Sequence, residues 1–324
     1  MSAPASGSFR RERLDLLVVG HTNIDHVIRV PHLPARDETV PSRKREVSLG
    51  GTAANIARWS AHLGLRVGLH SFVGPDLPPD FRQELGRLRV DLTGLKTRPG
   101  EFTPACWIVE DGRGGQTTVI DQGAMASTGR LPLPEGLLRS SRWVHITTGD
   151  PVYQLRLARA ARVLGKTVAA DPAQEIHYRW EPEALRELLS MSEAFFGNER
   201  EFAKLVELLH LSEPREVVEL VPLAVVTRGP RGARAYSRSG RQDAKSPRVS
   251  RLAGVTGAGD AFRAGFYRAW FAGEPLEECL RWGTAAGATV VEIPRDPSGR
   301  LPPLEEIRRR RASLSPSHED PHSG

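Results

Sequence analysis

The strongest constraint on this chain is an alternation. Short apolar runs bounded by turn residues take turns with stretches whose apolar residues fall at helical spacing, from residue 14 to residue 229. LDLLVVG (14–20) reads as a buried strand, because a run with no polar face needs cover on both sides. TAANIARWSAHLG (52–64) has helix spacing and stops at Gly64. LRVGLHSFVG is then a strand and PDFRQELGRL a helix, SRWVHITTG (141–149) a strand and PVYQLRLARAARVLG a helix, and KTVAAD a strand. EPEALRELLS, EAFFG, NEREFAKLVELL and PLAVVTRG continue the rhythm, and two helices follow at 260–272 and about 275–291. Such alternation predicts an α/β domain with a mainly parallel central sheet and helices on both faces. Ligands in sheets of this kind bind outside the carboxyl ends of the strands.

Two segments break the rhythm. HVIRVPHLPARDETVPSRKREVSL (26–49) is extended, with prolines and charges, and FTPACWIVEDGRGGQTTVID (102–121) reads as two β-rich arms around DGRGG. Both predict strands outside the main sheet, which together would form a small β-lid over a substrate site. The polar ends, 1–13 and 312–324, are expected to be disordered tails around one domain at 14–311.

Composition narrows the class. No apolar run approaches the ~20 residues that span a bilayer, and MSAPASGSFRRERL lacks the apolar stretch of a secretory signal. Cys106 and Cys279 form neither a disulfide framework nor a metal spacing, so the cytoplasm is the expected compartment. The net charge of +6 raises the question of a nucleic-acid partner. Yet the basic residues cluster at the ends, in Arg10, Arg11 and Arg13 and in Arg308 to Arg311, and only five of the 45 are lysine. With no aromatic-plus-basic recognition motif, neither a nucleic acid nor a membrane is expected as partner.

Six short motifs carry candidate chemistry. GHTNID (20–25) ends the first buried strand, so Asn23 and Asp25 lie where that strand delivers side chains to a ligand, or else serve a turn. GGTAAN (50–55) pairs glycines that allow close backbone approach with Asn55, a donor and acceptor for hydroxyls, and it lacks dinucleotide spacing. LGKT (164–167) resembles a fragment of a phosphate loop, but Ala160 replaces the required glycine and a helical pattern precedes it, so Gly165 reads as a helix stop. NERE (198–201) offers hard oxygen ligands at a strand end, with a capped helix start as the plain alternative. TRGPRG (227–232) is either a backbone approach to a nucleotide or a hairpin turn. VTGAGD (255–260) places small residues and a carboxylate at a helix entry: an anion site with a base beside it, or a capped turn.

In this order GGTAAN, NERE, TRGPRG and GVTGAGDAFRAGF resemble the motifs of the ribokinase-like (PfkB) carbohydrate and nucleoside kinase family, over roughly residues 14 to 310. VGHTNID, HITTGDP and DPAQEI look especially like archaeal broad-specificity nucleoside kinases within it. The resemblance implies a ribokinase-like fold with a β-lid, and transfer of the ATP γ-phosphoryl to a hydroxyl with Mg²⁺. By motif, Asp260 would be the general base, and Gly257, Ala258 and Gly259 would offer amides to the transferring phosphoryl. Asn198 and Glu201 would organise Mg²⁺ and phosphates through water, while Thr227, Gly229, Gly232 and Thr256 would line the nucleotide site. Asn23, Asp25, Gly51 and Asn55 would hold the acceptor. Such chemistry needs positioning and charge stabilisation more than covalent catalysis, which suits amides at a helix start.

The chain departs from the family pattern at three places. Gly254 and Val255 stand where Asp-Thr is common, which puts K⁺ activation in doubt; Arg228 stands in the nucleotide loop; and Pro104 replaces a frequent lid glycine. The expected function is an ATP- and Mg²⁺-dependent kinase acting on a nucleoside 5′-hydroxyl. A sugar or sugar phosphate is the alternative acceptor, with Arg43, Lys44 and Arg45 as candidates for an acceptor phosphate. A non-catalytic binding protein of the same fold is the third reading. A homodimer is compatible with the sequence and not required by it.

Overall fold

The computed structural model describes residues 14–113, 115–254, 256–293 and 300–314. Both expected tails lie outside these residues except for 312–314.

Strand β1 (Leu14–Val19) sits inside a nine-stranded sheet with β4 (Val67–Val73), β5 (Asp91–Thr97), β8 (Ser141–Ile146), β9 (Thr167–Ala170), β10 (Ala194–Asn198), β11 (Leu223–Thr227), β12 (Ala233–Ser237) and β13 (Gly240–Ala244). The order is β13-β12-β11-β10-β9-β8-β1-β4-β5. Seven of these strands run parallel, and β12 and β13 add an antiparallel edge. In β1, Leu16 and Val18 join one core and Leu17 and Val19 the other. Successive side chains of a strand point to opposite faces, so burial on both faces demands the unbroken apolar run read in the sequence. Each such side chain contributes roughly 1.5–3 kcal/mol on leaving water.

One face is covered by α1 (Thr52–His62), α2 (Pro79–Arg87), α7 (Ala258–Phe271) and α8 (Leu276–Glu292), with Ile56, Phe81, Phe266 and Leu280 in the core. The other carries α3 (Glu135–Ser140), α4 (Pro151–Val163), α5 (Pro182–Ser190) and α6 (Glu199–Leu208), through Leu138, Leu157, Leu188 and Leu205. Helix α9 (Leu304–Ala312) packs on α8. Its basic run is paired within the chain: Arg308 with Glu305, Arg309 and Arg310 with Glu306, and Arg311 with Glu278.

The segments that break the rhythm form a separate four-stranded sheet, β3-β2-β6-β7, from β2 (Asn23–Arg29), β3 (Lys44–Gly50), β6 (Ala105–Glu110) and β7 (Gln116–Asp121). This is the lid. It corrects one expectation: Asn23 and Asp25 do not end the first strand but open the lid sheet, because Gly20, at φ 153, breaks β1 and lets the chain leave the main sheet. Helix α7 also begins two residues earlier than expected, taking Ala258 and Gly259 into its first turn. Gly165 adopts φ 67 just after α4, a helix stop as read. Burial raises both cysteine thiols to about 12, so neither is poised as a nucleophile. Among the described residues, no helix is long and apolar enough to cross a membrane.

Candidate active site

Parallel strands deliver their carboxyl ends to one edge, and three candidate segments arrive there together. Asn198 ends β10, Thr227 ends β11, and the two are direct register partners. Asp171 follows β9 next door. The lid and the N-terminus of α7 supply the remaining groups.

At the start of α6 the capping alternative is realised. The Asn198 side-chain oxygen accepts from the Arg200 and Glu201 amides at 2.9 and 3.0 Å, and Glu201 Oε2 accepts from the Asn198 amide at 2.7 Å. This capping box contributes about 1 kcal/mol to the helix start. Glu201 is nonetheless buried, at 7% exposure, which pushes its carboxyl above the ordinary value, while Arg263 pulls it back. Among the described residues, no cluster of three His, Cys, Asp or Glu could hold a metal directly. Asn198 Oδ1 and Glu201 Oε2 are both engaged in the capping box, so the oxygens they have in hand serve the helix start.

The hairpin reading of TRGPRG is realised as well, since β11 and β12 are antiparallel neighbours. Gly232, at φ 91, has no room for a side chain: a Cβ there would lie 2.0 Å from the Ala244 carbonyl oxygen. Gly229, at φ 56, faces open space. The Thr227 hydroxyl donates to the Gly197 carbonyl at 3.4 Å. Arg228 and Arg231 both reach Glu199, at 3.3 and 2.5 Å, which ties this loop to the start of α6.

Gly257 takes the left-handed conformation, φ 84, which turns the chain from exposed Thr256 into α7. The N-cap residue is Gly257, which brings no side chain of its own to the first-turn amides, and a helix start of this kind suits an anion. Asp260 lies in that first turn. Its carboxylate Oδ2 accepts a hydrogen bond from Asn55 Nδ2 at 2.9 Å, so two of the candidate residues touch.

Asp25 is buried, at 5% exposure, on β2. A Cβ on Gly50 would fall 2.1 Å from its carboxyl atoms, and one on Gly51 (φ 90) 2.4 Å from the His21 carbonyl oxygen. The close approach allowed by the glycine pair is thus to the chain's own HTNID segment. Gly50 makes the space in which the Asp25 carboxylate sits. Arg43, Lys44 and Arg45 are exposed at the far end of β3, where Lys44 pairs with Glu46 and stands opposite Arg29. Asp25 stands opposite Ser48, four residues or about 13 Å along that strand.

Two buried networks carry no role in the sequence reading. In one, Gln122, just after β7, accepts from Arg179 at 3.0 Å and pairs with His21 Nε2 at 2.7 Å, and it donates to Glu175 at 3.1 Å. Glu175 also takes the Gly149 amide at 2.5 Å. Burial lowers His21 towards its neutral form, with Glu175 and Gln122 opposing. This network fastens the last lid strand to the main domain. In the other, Asp171, Arg263, His145 and Tyr267 meet beneath the α7 N-terminus. The available signal was an arginine three residues after Asp260, one helical turn on.

Over residues 13–296 the chain matches the pfkB family carbohydrate kinase pattern. The chain belongs to the pfkB family. It is accordingly a phosphotransferase whose acceptor is an alcohol, with ATP as co-substrate. It is 32% identical to a nucleoside kinase of Methanothermobacter thermautotrophicus, over 87% of this chain and 90% of that one. It is 31% identical to a cytidine kinase of Thermococcus kodakarensis, over 86% and 96%. The crystal structure of Methanocaldococcus jannaschii nucleoside kinase superimposes with a TM-score of 0.83 at 28% identity, covering 93% of this chain and 99% of that one. The expected ribokinase-like fold with a lid is therefore the observed one.

Proposed function

We propose that this pfkB kinase phosphorylates the 5′-hydroxyl of a nucleoside, with Asp260 as general base. The observation that carries the reading is the Asn55–Asp260 hydrogen bond, which sets the carboxylate at the glycine-started N-terminus of α7 beside the acceptor segment. Asn55 holds Oδ2 and orients the carboxylate toward the acceptor. The acceptor oxygen attacks the γ-phosphorus, its proton passes to Asp260, and the bond to the ADP oxygen breaks. A positioned base of this kind adds about 10²–10⁴-fold. The amides at Gly257, Ala258 and Gly259 receive the transferring phosphoryl, and Thr227, Gly229, Gly232 and Thr256 line the nucleotide. Asp25, Asn23, Gly51 and Asn55 hold the acceptor. Mg²⁺, when bound, would neutralise phosphate charge, and Asn198 and Glu201 are the residues that would hold it through water. K⁺ is not required in this account, since Gly254 offers no carboxylate; its amide instead donates to the Val291 carbonyl at 3.4 Å.

A nucleoside is favoured over a sugar phosphate because Arg43, Lys44 and Arg45 stand at the lid's far end from Asp25. Turnover of ATP against a panel of nucleosides, free sugars and sugar phosphates tests the choice. A nucleoside should give the highest kcat/KM, and a preference for sugar phosphates would reverse the assignment.

We place the enzyme in the cytoplasm. We also propose a homodimer through the lid, where Val47, His26, Trp107 and Val119 form one row across all four strands. Val47, Trp107 and Val119 are exposed, and His26 stacks on Trp107 at 4.0 Å. Val119→Asp should yield a monomer in equilibrium sedimentation if this row is the interface.

A further inference from the structure

Arg263 is 4% exposed, and its guanidinium makes three oriented contacts. Nε and Nη2 donate to the two oxygens of Asp171 at 2.5 and 2.8 Å, and Nη1 donates to the Gly259 carbonyl at 3.0 Å. Asp171 is fixed in turn, since His145 Nε2 lies 3.1 Å from Oδ2 and the Tyr267 hydroxyl 2.7 Å from His145 Nδ1. Burial holds His145 below its ordinary pKa, so Nε2–H donates to Asp171 and Nδ1 accepts from Tyr267. The guanidinium also acts on the charges of Glu201 and Asp260.

A second observation concerns Gly259 itself. It is not among the positive-φ glycines, so its backbone does not demand glycine. The atom that a Cβ at this position would meet is Arg263 Nη1, at 2.9 Å. The glycine leaves room for the guanidinium to press on the turn.

We infer that Arg263 is a positioning residue for phosphoryl transfer, a strut that carries the fixed direction of Asp171 to the Gly259 peptide and so aims the amides of the α7 first turn. The inference rests on the reading of that turn as the phosphoryl site. Lysine keeps the charge but cannot hold a carboxylate bidentately and a carbonyl at once. A structural role alone would lower the melting temperature and leave kcat in place.

The test measures kcat and both KM values for wild type, Arg263→Lys and the charge-balanced pair Asp171→Asn with Arg263→Gln, each checked for a cooperative melt. Asp260→Asn, run beside them, tests the reading of the site separately. We expect Arg263→Lys to lose at least tenfold in kcat with KM for ATP and acceptor within about threefold, and the folded pair to lose about a hundredfold. If the pair fails to fold, Arg263→Lys decides. A folded Arg263→Lys enzyme with kcat within threefold of wild type overturns the inference, as does a loss confined to KM. If wild type and Asp260→Asn turn over alike, the reading of the site itself has failed.

Discussion

Asn55 on α1 and Asp260 on α7 lie 205 positions apart in the chain, yet the Asn55 amide nitrogen stands 2.9 Å from the Asp260 carboxylate. A carboxylate can only accept, so the amide presents its NH₂ to the base and turns its oxygen elsewhere. Asn55→Ala should lower kcat by about tenfold and raise the acceptor KM, because orientation as well as binding is lost. Unchanged kcat in a steady-state assay would show that Asn55 does not orient the base.

Gly50 gives a sharper test of the acceptor side. A methyl group at this position would meet the Asp25 carboxyl at 2.1 Å, so Gly50→Ala must displace that carboxylate or the strand. The acceptor KM should rise at least tenfold while the KM for ATP stays within about twofold. Asp25→Ala should reproduce the same split, and equal effects on both substrates would remove Asp25 from the acceptor site.

Glu201 joins stability to function. Burial raises its carboxyl, so the charged form is held at a cost that Arg263 only partly offsets. Glu201→Gln keeps an oxygen for the Asn198 amide and removes the charge. Its melting temperature should be no lower than that of wild type, while the Mg²⁺ concentration for half-maximal activity rises several-fold. An unchanged Mg²⁺ dependence would leave Glu201 as a helix cap alone.

Acid should weaken the fold through buried histidines. His70 is held to about 4 by burial, between the Gly94 carbonyl and the Tyr153 hydroxyl, and burial lowers His21 and His145 too. Below pH ~6.5 the unfolded chain takes up protons that the folded chain refuses, so stability falls with pH between about 6.5 and 4. His70 alone accounts for about 3 kcal/mol across that window. Chemical denaturation at pH 7 and pH 5 measures the slope. His70→Gln should be less stable at pH 7 but flatter in its pH dependence, and a wild-type stability independent of pH here would contradict the account.

The alternation of buried strands and amphipathic helices made the sheet legible, because a central strand such as β1 cannot be polar on either face. The lid was legible for the opposite reason, since 26–49 and 102–121 fit no layer of that sheet. Five elements were not read, among them the short helix α3 (Glu135–Ser140) that lies between the lid and β8. Strand β5 (Asp91–Thr97) is only partly buried and lacks a clean apolar run, and β12 and β13 form an edge hairpin whose outer strand is exposed at Gly240, Arg241 and Gln242. Helix α9 hides behind its arginines and buries only Ile307. The candidate site residues stand out in the sequence through motif order, while their local partners do not. Nothing in GGTAAN shows that Gly50 houses the Asp25 carboxylate, and nothing in DAFRAG shows that Arg263 turns inward to Asp171.

The central claim is that Asp260 takes the acceptor proton. The most direct measurement follows transfer of radiolabel from γ-labelled ATP to a nucleoside by wild type and Asp260→Asn, with ATP binding to each measured by calorimetry. The account predicts a 5′-labelled nucleotide from wild type, a loss of roughly 10²–10⁴-fold in the variant, and ATP affinity unchanged within about threefold. Equal turnover by the two proteins, or no labelled acceptor from wild type, would contradict it.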